Sequence, residues 1–102
     1  MKKLTLIVHA DTKEALADVL RVMPEVPGFT FAPAEGHGPQ AAQDPLLSTR
    51  DRVVGYVPHV RVDLILEDAV VDKVLAAMQA SSCGVAGHGV YWVTRLERHG
   101  RL

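Results

Sequence analysis

The sequence predicts a single α+β domain, residues 1–102, in which strands and helices follow one another as β-α-β-β-α-β. Four short segments are rich in β-branched and apolar residues, and two others carry apolar residues at the three-to-four-residue spacing of a helix. The 102 residues suffice to bury one core without disulfides or structural metal. The element order is that of the ferredoxin-like sandwich, in which one four-stranded antiparallel sheet carries two helices on one face.

The first half of the chain supplies a strand, a helix and a second strand. Residues Lys3 to His9 form an apolar run without internal charge, which predicts a buried first strand. Asp11 or Thr12 can cap the helix that follows, and this helix ends before Pro24. Residues 28–31, Gly-Phe-Thr-Phe, are the predicted second strand.

The second half of the chain repeats the pattern after a long connection. Apolar residues alternate with polar ones from Val57 to Leu66, interrupted by Pro58, and predict a long third strand with one partly charged face. A second amphipathic helix is expected from Val70 to about Ser81, and the last strand from Val90 to Leu96. Residues 39–55 form the connection between the second and third strands.

Apolar residues are also expected on the sheet face that the helices leave uncovered. The apolar alternation of the third strand, together with Tyr91 and Trp92, favours a partner subunit as the cover of that face. We therefore expect a homo-oligomer.

Composition excludes several classes of function. Eleven basic and twelve acidic side chains give a net charge of −1 without a basic run, which argues against nucleic acid as a partner. The only cysteine, Cys83, cannot form an internal disulfide and fits a reducing compartment. The apolar run near the N-terminus is shorter than the roughly 7 residues of a secretory signal, and no run approaches the roughly 20 of a membrane span. We expect a cytoplasmic protein that does not insert into a membrane.

Two glycine clusters are the strongest candidates for a functional site. The first is Gly36-His37-Gly38-Pro-Gln40 and the second runs from Gly84 through Gly87-His88-Gly89. Such clusters allow positive φ angles or close approach to the backbone, so they predict either binding loops or tight turns at the corners of the fold. Residues 39–55, which follow the first cluster, are polar and lack a period, as in a functional loop or a disordered insertion.

These clusters and the third strand resemble the PII signalling superfamily along nearly the whole chain. The first cluster resembles the family's G-F-G-x-Q at the base of its long T-loop. Residues 57–63, Val-Pro-His-Val-Arg-Val-Asp, resemble its L-P-K-V-K-I-E strand. Residues 84–93, Gly-Val-Ala-Gly-His-Gly-Val-Tyr-Trp-Val, resemble its B-loop, T-G-x-x-G-D-G-K-I-F-V.

The resemblance implies a homotrimer with effector clefts between neighbouring subunits, each cleft built from the T-loop base of one subunit and the B-loop of another. Family clefts bind ATP or ADP, so an adenine nucleotide (ATP, ADP or AMP) is the implied effector. The T-loop, residues 39–55 here, is implied to dock on a protein partner such as a membrane transporter or an enzyme. The residues carried over to the cleft are Gly36, His37, Gly38, Gln40, His59, Gly84, Gly87, His88, Gly89, Arg98 and Arg101.

Departures from the family pattern point to a divergent PII-like branch. Val90 and His59 stand where the family carries lysines that contact phosphate or 2-oxoglutarate, and His88 replaces an aspartate. Arg52 stands where some members carry a uridylylated tyrosine, so that modification is not expected. The Tyr-Trp-Val strand and the Gly-Arg-Leu terminus are similar to a PII-like group associated with heavy-metal efflux.

Two other readings remain open, and neither is catalytic. Cys83, His37 and His88 form a possible Cu(I) or Zn(II) ligand set, which would make the chain a metal-responsive module of PII-like or CutA-like architecture associated with metal efflux. A structural oligomeric adaptor with empty clefts is the other reading. Ser81 and Ser82 have no evident base and orienting group, so we expect no enzymatic activity.

Overall fold

Four strands and two helices form in the predicted order, and the fold is a ferredoxin-like α+β sandwich. The computed structural model describes residues 1–37 and 57–102, so the 39–55 loop and the positions Gly38, Gln40 and Arg52 lie outside it. Short 3₁₀ turns at Ala10–Thr12 and Asp68–Val70 lead into the two helices. The elements are β1 (Lys2–His9), α1 (Lys13–Arg21), β2 (Thr30–Gly36), β3 (Val57–Leu66), α2 (Val71–Ala80) and β4 (Gly89–Arg95).

The sheet is antiparallel throughout, and its strand order is β2-β3-β1-β4. The central ladder between β1 and β3 runs from Lys2 opposite Leu66 to His9 opposite His59. Because β2 is an edge strand, Pro33 within it removes no hydrogen bond from a central ladder. Pro58 lies one residue beyond the last pair with β1, which explains why β3 tolerates it.

The core lies between the sheet and the two helices. Alternate residues of β1 and β3 meet the apolar faces of α1 and α2 in one cluster, where burial of each large side chain stabilises the fold by about 1.5–3 kcal/mol. Neither helix of the described chain is long and apolar enough to cross a bilayer. The cluster is built chiefly from Leu4, Leu6, Val8, Val60, Val62, Leu64, Leu16, Leu20, Val74 and Met78.

The buried apolar residues of β3, Val60, Val62, Leu64 and Leu66, therefore pack on the chain's own helices, which corrects part of the argument for a partner subunit. Ile65 lies on the opposite face and is 39% exposed. Tyr91 and Trp92 are neighbours on a strand, so their side chains point to opposite faces of the sheet. Only Trp92 belongs to the face without helices, where it pairs in register with Thr5. That face, called the outer face below, also carries Arg61 and Asp63.

Two boundaries differ from the sequence prediction. The second strand runs from Thr30 to Gly36 rather than over residues 28–31, because pairing with β3 selects the segment that becomes a strand. Thr12 occupies the N-cap position of α1, as predicted, but its side chain makes no capping hydrogen bond there. Instead the His9 side chain accepts a hydrogen bond from the Asp11 backbone N–H at 3.1 Å, and the Thr12 hydroxyl donates to the His9 carbonyl at 2.7 Å.

Edge strand β4 is exposed along its whole length. Val90 is 60% exposed, Tyr91 51% and Trp92 41%. One edge of β4 pairs with β1, and the other edge pairs with no strand in the described part of the chain. A long apolar edge strand of this kind is a surface suited to association.

Candidate functional site

Both glycine clusters meet the sheet at the same end but at opposite edges. Gly36 is the last residue of β2, and Gly89 is the first of β4. Between these two edge strands, His9 and His59 form the last cross-strand pair of the central strands β1 and β3. The strand order places three strand spacings, about 14 Å, between the edge strands. The two clusters are therefore separate within one chain, and each is called a candidate half-site, or half-site, below.

The half-site at β2 is built around a contact between Gly36 and His59. A β-carbon at Gly36 would lie 2.2 Å from Cε1 and 2.3 Å from Nδ1 of His59. No side chain fits there while the imidazole keeps its position. Because Gly36 has no β-carbon, the His59 side chain of the same subunit can approach its backbone closely.

His9 lies behind His59 on the same face and was not anticipated as a site residue. Its side chain is almost completely buried, with Nδ1 accepting the Asp11 N–H and lying 3.5 Å from the Asp11 carboxylate oxygen Oδ2. Its Nε2 has no hydrogen-bond partner among the residues that the structure describes. The rings of His9 and His59 are 6.0 Å apart between centroids and inclined by 56°. The sequence signal was a histidine ending an apolar strand.

The half-site at β4 needs glycine for two reasons, which are positive φ angles at two positions and a close approach between strands at a third. Gly84 and Gly87 have φ angles of +93° and +75°, in the left-handed region that favours glycine. A β-carbon at Gly89 would lie 2.9 Å from the carbonyl oxygen of Ile7, so glycine allows β4 to approach β1. His88, between Gly87 and Gly89, is exposed, and its backbone N–H donates a hydrogen bond to the Val85 carbonyl oxygen at 3.1 Å.

His37 contacts Glu35, whereas Arg98 and Arg101 are not brought to these half-sites within one chain. The Nε2 atom of His37 lies 3.2 Å from Glu35 Oε2, and strand alternation puts Glu35 on the face opposite the Gly36–His59 contact. Arg98 and Arg101 follow the far end of β4, where the chain leaves the sheet opposite to the glycine clusters. Both arginines are exposed.

The predicted metal ligand set is not assembled in the described residues. Cys83 is buried in the core, where its Sγ accepts a hydrogen bond from the Ser81 hydroxyl at 2.9 Å and lies 3.6 Å from the Met78 carbonyl. Within residues 1–37 and 57–102, no three His, Cys, Asp or Glu side chains lie close enough together to hold a metal ion. His37 and His88 belong to opposite edges of the sheet.

A polar network on the outer face was also missed from the sequence. Asp63 accepts hydrogen bonds from the Thr5 hydroxyl at 2.8 Å and from Arg61 Nε at 3.0 Å. Arg61 also lies over the Trp92 ring, 5.8 Å from its centroid. Burial acts to raise the pKa of Asp63, but the hydrogen bonds from Arg61 and Thr5 and the charge of Arg61 outweigh it, so this pKa lies below its ordinary value. The network holds polar groups in place beside an exposed apolar strand.

Comparison with known proteins agrees with this fold and extends over the whole chain. The model of a family described as "Protein of unknown function (DUF3240)" matches residues 1–102. Proteins named nitrogen regulatory protein P-II from Azospirillum brasilense and Rhodospirillum rubrum are each 31% identical over 107 aligned positions, covering 100% of this chain and 91% of the relative. A crystal structure of a DUF3240 family protein from Shewanella baltica OS155 superposes with a TM-score of 0.77, at 19% identity, over 99% of this chain and 94% of the other.

Proposed function

This chain belongs to the DUF3240 family and is a divergent PII-like protein, and from that premise we propose that it is a trimeric regulatory protein that binds a small effector between subunits. The effector class we propose is an adenine nucleotide. Occupancy of the cleft would change the loop at residues 39–55 and thereby the binding of a protein partner such as a transporter or an enzyme. We place this activity in the cytoplasm.

The separation of the two half-sites carries this proposal. Gly36 and Gly89 lie on opposite edge strands of one sheet, with β3 and β1 between them. A compact cleft that uses both glycine clusters therefore needs the β2 edge of one subunit and the β4 edge of another. Closed rings of identical subunits bring unlike edges together in this way.

The exposed strand β4 supports association of subunits. Its apolar side chains Val90 and Trp92 lie on the outer face, beside the hydrogen-bonded pair Arg61 and Asp63. Aromatic residues and arginine with satisfied polar neighbours are typical of the buried centre of protein interfaces. Burial of this strand in a trimer would remove the largest exposed apolar residues of the sheet from water.

The connection between the half-site and the loop supports a regulatory role. The loop leaves β2 after Gly36 and returns at Val57, and these two residues are cross-strand partners. The described strand residues that flank this segment therefore lie together, and Gly36 is in contact with the His59 ring. A ligand that changes the position of His59 acts directly at the base of that segment, which is how binding would reach the partner.

Sedimentation and calorimetry test the proposal. We expect the wild-type protein to sediment as a trimer and Trp92→Glu to dissociate, because a carboxylate would be buried in the interface. Titration with ATP, ADP and AMP should give heat for at least one nucleotide, and His59→Ala should weaken it. A monomer at every concentration would overturn the trimer. Absence of heat and of a thermal shift at millimolar nucleotide would overturn the nucleotide assignment.

A further inference from the structure

We propose that the turn at Ala10–Thr12 is a pH-sensitive switch, in which protonation of His9 moves its Nδ1 atom from the Asp11 backbone N–H to the Asp11 carboxylate. This inference goes beyond the proposed function, since it needs neither an effector nor a second subunit. It gives a role to a buried imidazole that belongs to neither glycine cluster. It also predicts that acid changes the contact between this turn and the second glycine cluster.

In its neutral form, His9 caps the turn that begins at Ala10. Its Nδ1 atom accepts a hydrogen bond from the Asp11 backbone N–H at 3.1 Å. Because a backbone N–H can only donate, Nδ1 carries no proton, and a neutral imidazole of this kind carries its proton at Nε2. Protonation of the ring therefore adds a proton at Nδ1 and leaves Nε2 as it was. The cap at Nδ1 is the contact that a change of pH alters.

A partner for the protonated ring already lies beside it. Asp11 Oδ2 is 3.5 Å from His9 Nδ1, beyond the roughly 3.2 Å limit of an ordinary N–H···O hydrogen bond. The Asp11 side chain is 79% exposed, so it has room to close this gap. Because two N–H groups cannot share a hydrogen bond, a protonated Nδ1 releases the Asp11 N–H and donates to the carboxylate instead. A free aspartate is ionised above about pH 4 and a free imidazole is protonated below about pH 6.5, and the pair forms in the range between them.

The other ionisable groups around His9 do not compete with Asp11 for this proton. His59 faces His9 from β3, with 6.0 Å between the ring centroids, and a second imidazole that gains a proton opposes the first. By sequence and strand register, the next ionisable groups of the described chain are cationic or become so in acid, and they are Lys13 of α1, Arg61 of β3 and His88 before β4. The Asp11 carboxylate is therefore the group that offsets the charge of a protonated His9.

The buried side chain of Thr12 connects the turn to the second glycine cluster. A β-carbon at Gly84 would lie 3.3 Å from Thr12 Cγ2, so this methyl group lies against the Gly84 backbone. The Thr12 hydroxyl donates to the His9 carbonyl oxygen at 2.7 Å and does not depend on the protonation of the ring. When Nδ1 releases the Asp11 N–H, this hydrogen bond still holds the turn to β1. We therefore expect the turn to loosen without unfolding and the Thr12 methyl group to move relative to Gly84.

An NMR titration of the full-length protein tests the switch. Between about pH 8 and about pH 5, we would follow the imidazole ¹⁵N signals of His9, the Asp11 amide and the Thr12 methyl group. We expect His9 to carry one proton, at Nε2, at the upper end of this range and two protons at the lower end. The protection factor of the Asp11 amide should fall roughly fivefold, as for the loss of one N-cap hydrogen bond. The Thr12 methyl signal should move in step with it.

Two variants separate the switch from the titration of other histidines. Asparagine is a good N-cap and does not titrate, so His9→Asn should keep the protection of the Asp11 amide throughout the range. This variant retains His59 and His88, so a response that persists in it belongs to them. Asp11→Asn keeps the backbone N–H and removes the carboxylate from an exposed side chain, so it should fold normally and need more acid to protonate His9.

A third variant tests the transmission to the glycine cluster. Thr12→Ser keeps the hydroxyl that binds the His9 carbonyl and removes the methyl group that lies against Gly84. The Asp11 amide should still respond to pH in this variant, whereas the His9-dependent part of the Gly84 amide response should disappear. A Gly84 response equal to that of the wild type would overturn the transmission through Thr12.

The switch itself is overturned if neutral His9 carries its proton at Nδ1, if His9 stays neutral down to about pH 5, or if His9→Asn responds to pH as the wild type does. An unchanged titration of His9 in Asp11→Asn would overturn the carboxylate as the second partner. None of these measurements uses a nucleotide or the oligomeric state. Their failure is therefore distinct from failure of the proposed function.

Discussion

The imidazole of His59 occupies the space that a side chain at Gly36 would require, with 2.2 Å between Cε1 and the position of a β-carbon at residue 36. The glycine and the histidine belong to adjacent strands, β2 and β3, where these strands give way to the long loop. The contact makes the placement of the His59 ring, which we propose to lie in the effector cleft, depend on a glycine at residue 36. We therefore expect a substitution at residue 36 to change the position of the His59 ring, and a substitution at residue 59 to change which side chains residue 36 tolerates.

Gly36→Ala should displace the His59 ring and weaken effector binding with only a small loss of stability. The atoms in the way belong to the end of a rotatable side chain, so we expect a cost at the lower end of the 1–3 kcal/mol typical of overpacking. Chemical denaturation and nucleotide titration measure the two effects. In a His59→Ala background the substitution at residue 36 should be nearly neutral, and full additivity of the two changes would contradict the coupling.

Gly89→Ala should destabilise the protein by about 1–3 kcal/mol, because its β-carbon would meet the Ile7 carbonyl oxygen at 2.9 Å and Val8 Cγ1 at 3.0 Å. A backbone oxygen in a central strand cannot move aside as a ring can. Thermal or urea unfolding gives the change in free energy. Gly28→Ala, where a β-carbon meets nothing within 4 Å, is the control and should change stability by only a fraction of this amount.

Substitutions at Gly87 should measure the energetic cost of a positive φ angle in the absence of a steric clash. Its φ angle is +75° and a β-carbon there meets nothing within 4 Å, so alanine should cost about 1 kcal/mol through backbone conformation alone. Gly87→Asn should cost less, because asparagine tolerates the left-handed region better than alanine does. Unfolding free energies of the two variants test this order. Equal costs would mean that the φ angle does not set the preference for glycine.

Thr5→Val should raise the pKa of Asp63 relative to the wild type and lower stability at neutral pH by about 1 kcal/mol, because the hydrogen bond from a buried hydroxyl is lost. A carboxyl whose pKa is depressed by folding stabilises the protein above its ordinary pKa of 3.8, and this stabilisation is lost as pH falls through the lower, folded value. The variant should therefore lose less stability between neutral and acidic pH.

Carboxyl ¹³C titration of Asp63 and unfolding as a function of pH measure both parts of that prediction. Thr94→Val, an exposed change on strand β4, is the control and should leave the Asp63 titration unchanged. An unaltered pKa in Thr5→Val would show that the Thr5 hydroxyl does not contribute to the ionisation of Asp63.

Periodicity predicted the strands and helices well where the pattern was regular. The strand predicted over Val57 to Leu66 matches the bounds of β3, because Val60, Val62, Leu64 and Leu66 face one core. It failed for β2, where alanine, proline and glutamate carry little strand preference and pairing with β3 decides the outcome. The distinct faces of Tyr91 and Trp92 follow from alternation, but the covering of β3 by the chain's own helices required the sheet topology.

The glycine clusters were recognisable in the sequence, but the reason for each glycine needed three dimensions. Gly36 admits His59, Gly89 admits a neighbouring strand, and Gly87 takes a left-handed conformation. His9 escaped notice because nothing in a linear motif reveals which buried polar atom lacks a partner. The surroundings of His9 Nε2 depend both on the register between β1 and β3 and on the turn that begins at Ala10.

Because the glycine clusters lie on opposite edges of one sheet, two different inactive variants should complement each other in a mixed trimer. In the proposed trimer, a chain altered at His59 spoils only the clefts that use its β2 edge, and a chain altered at His88 spoils only those that use its β4 edge. Neither variant alone would retain an intact cleft. Refolded together in equal amounts, they would join two intact halves in about a quarter of the clefts, and effector binding would reappear in a mixture of two inactive proteins.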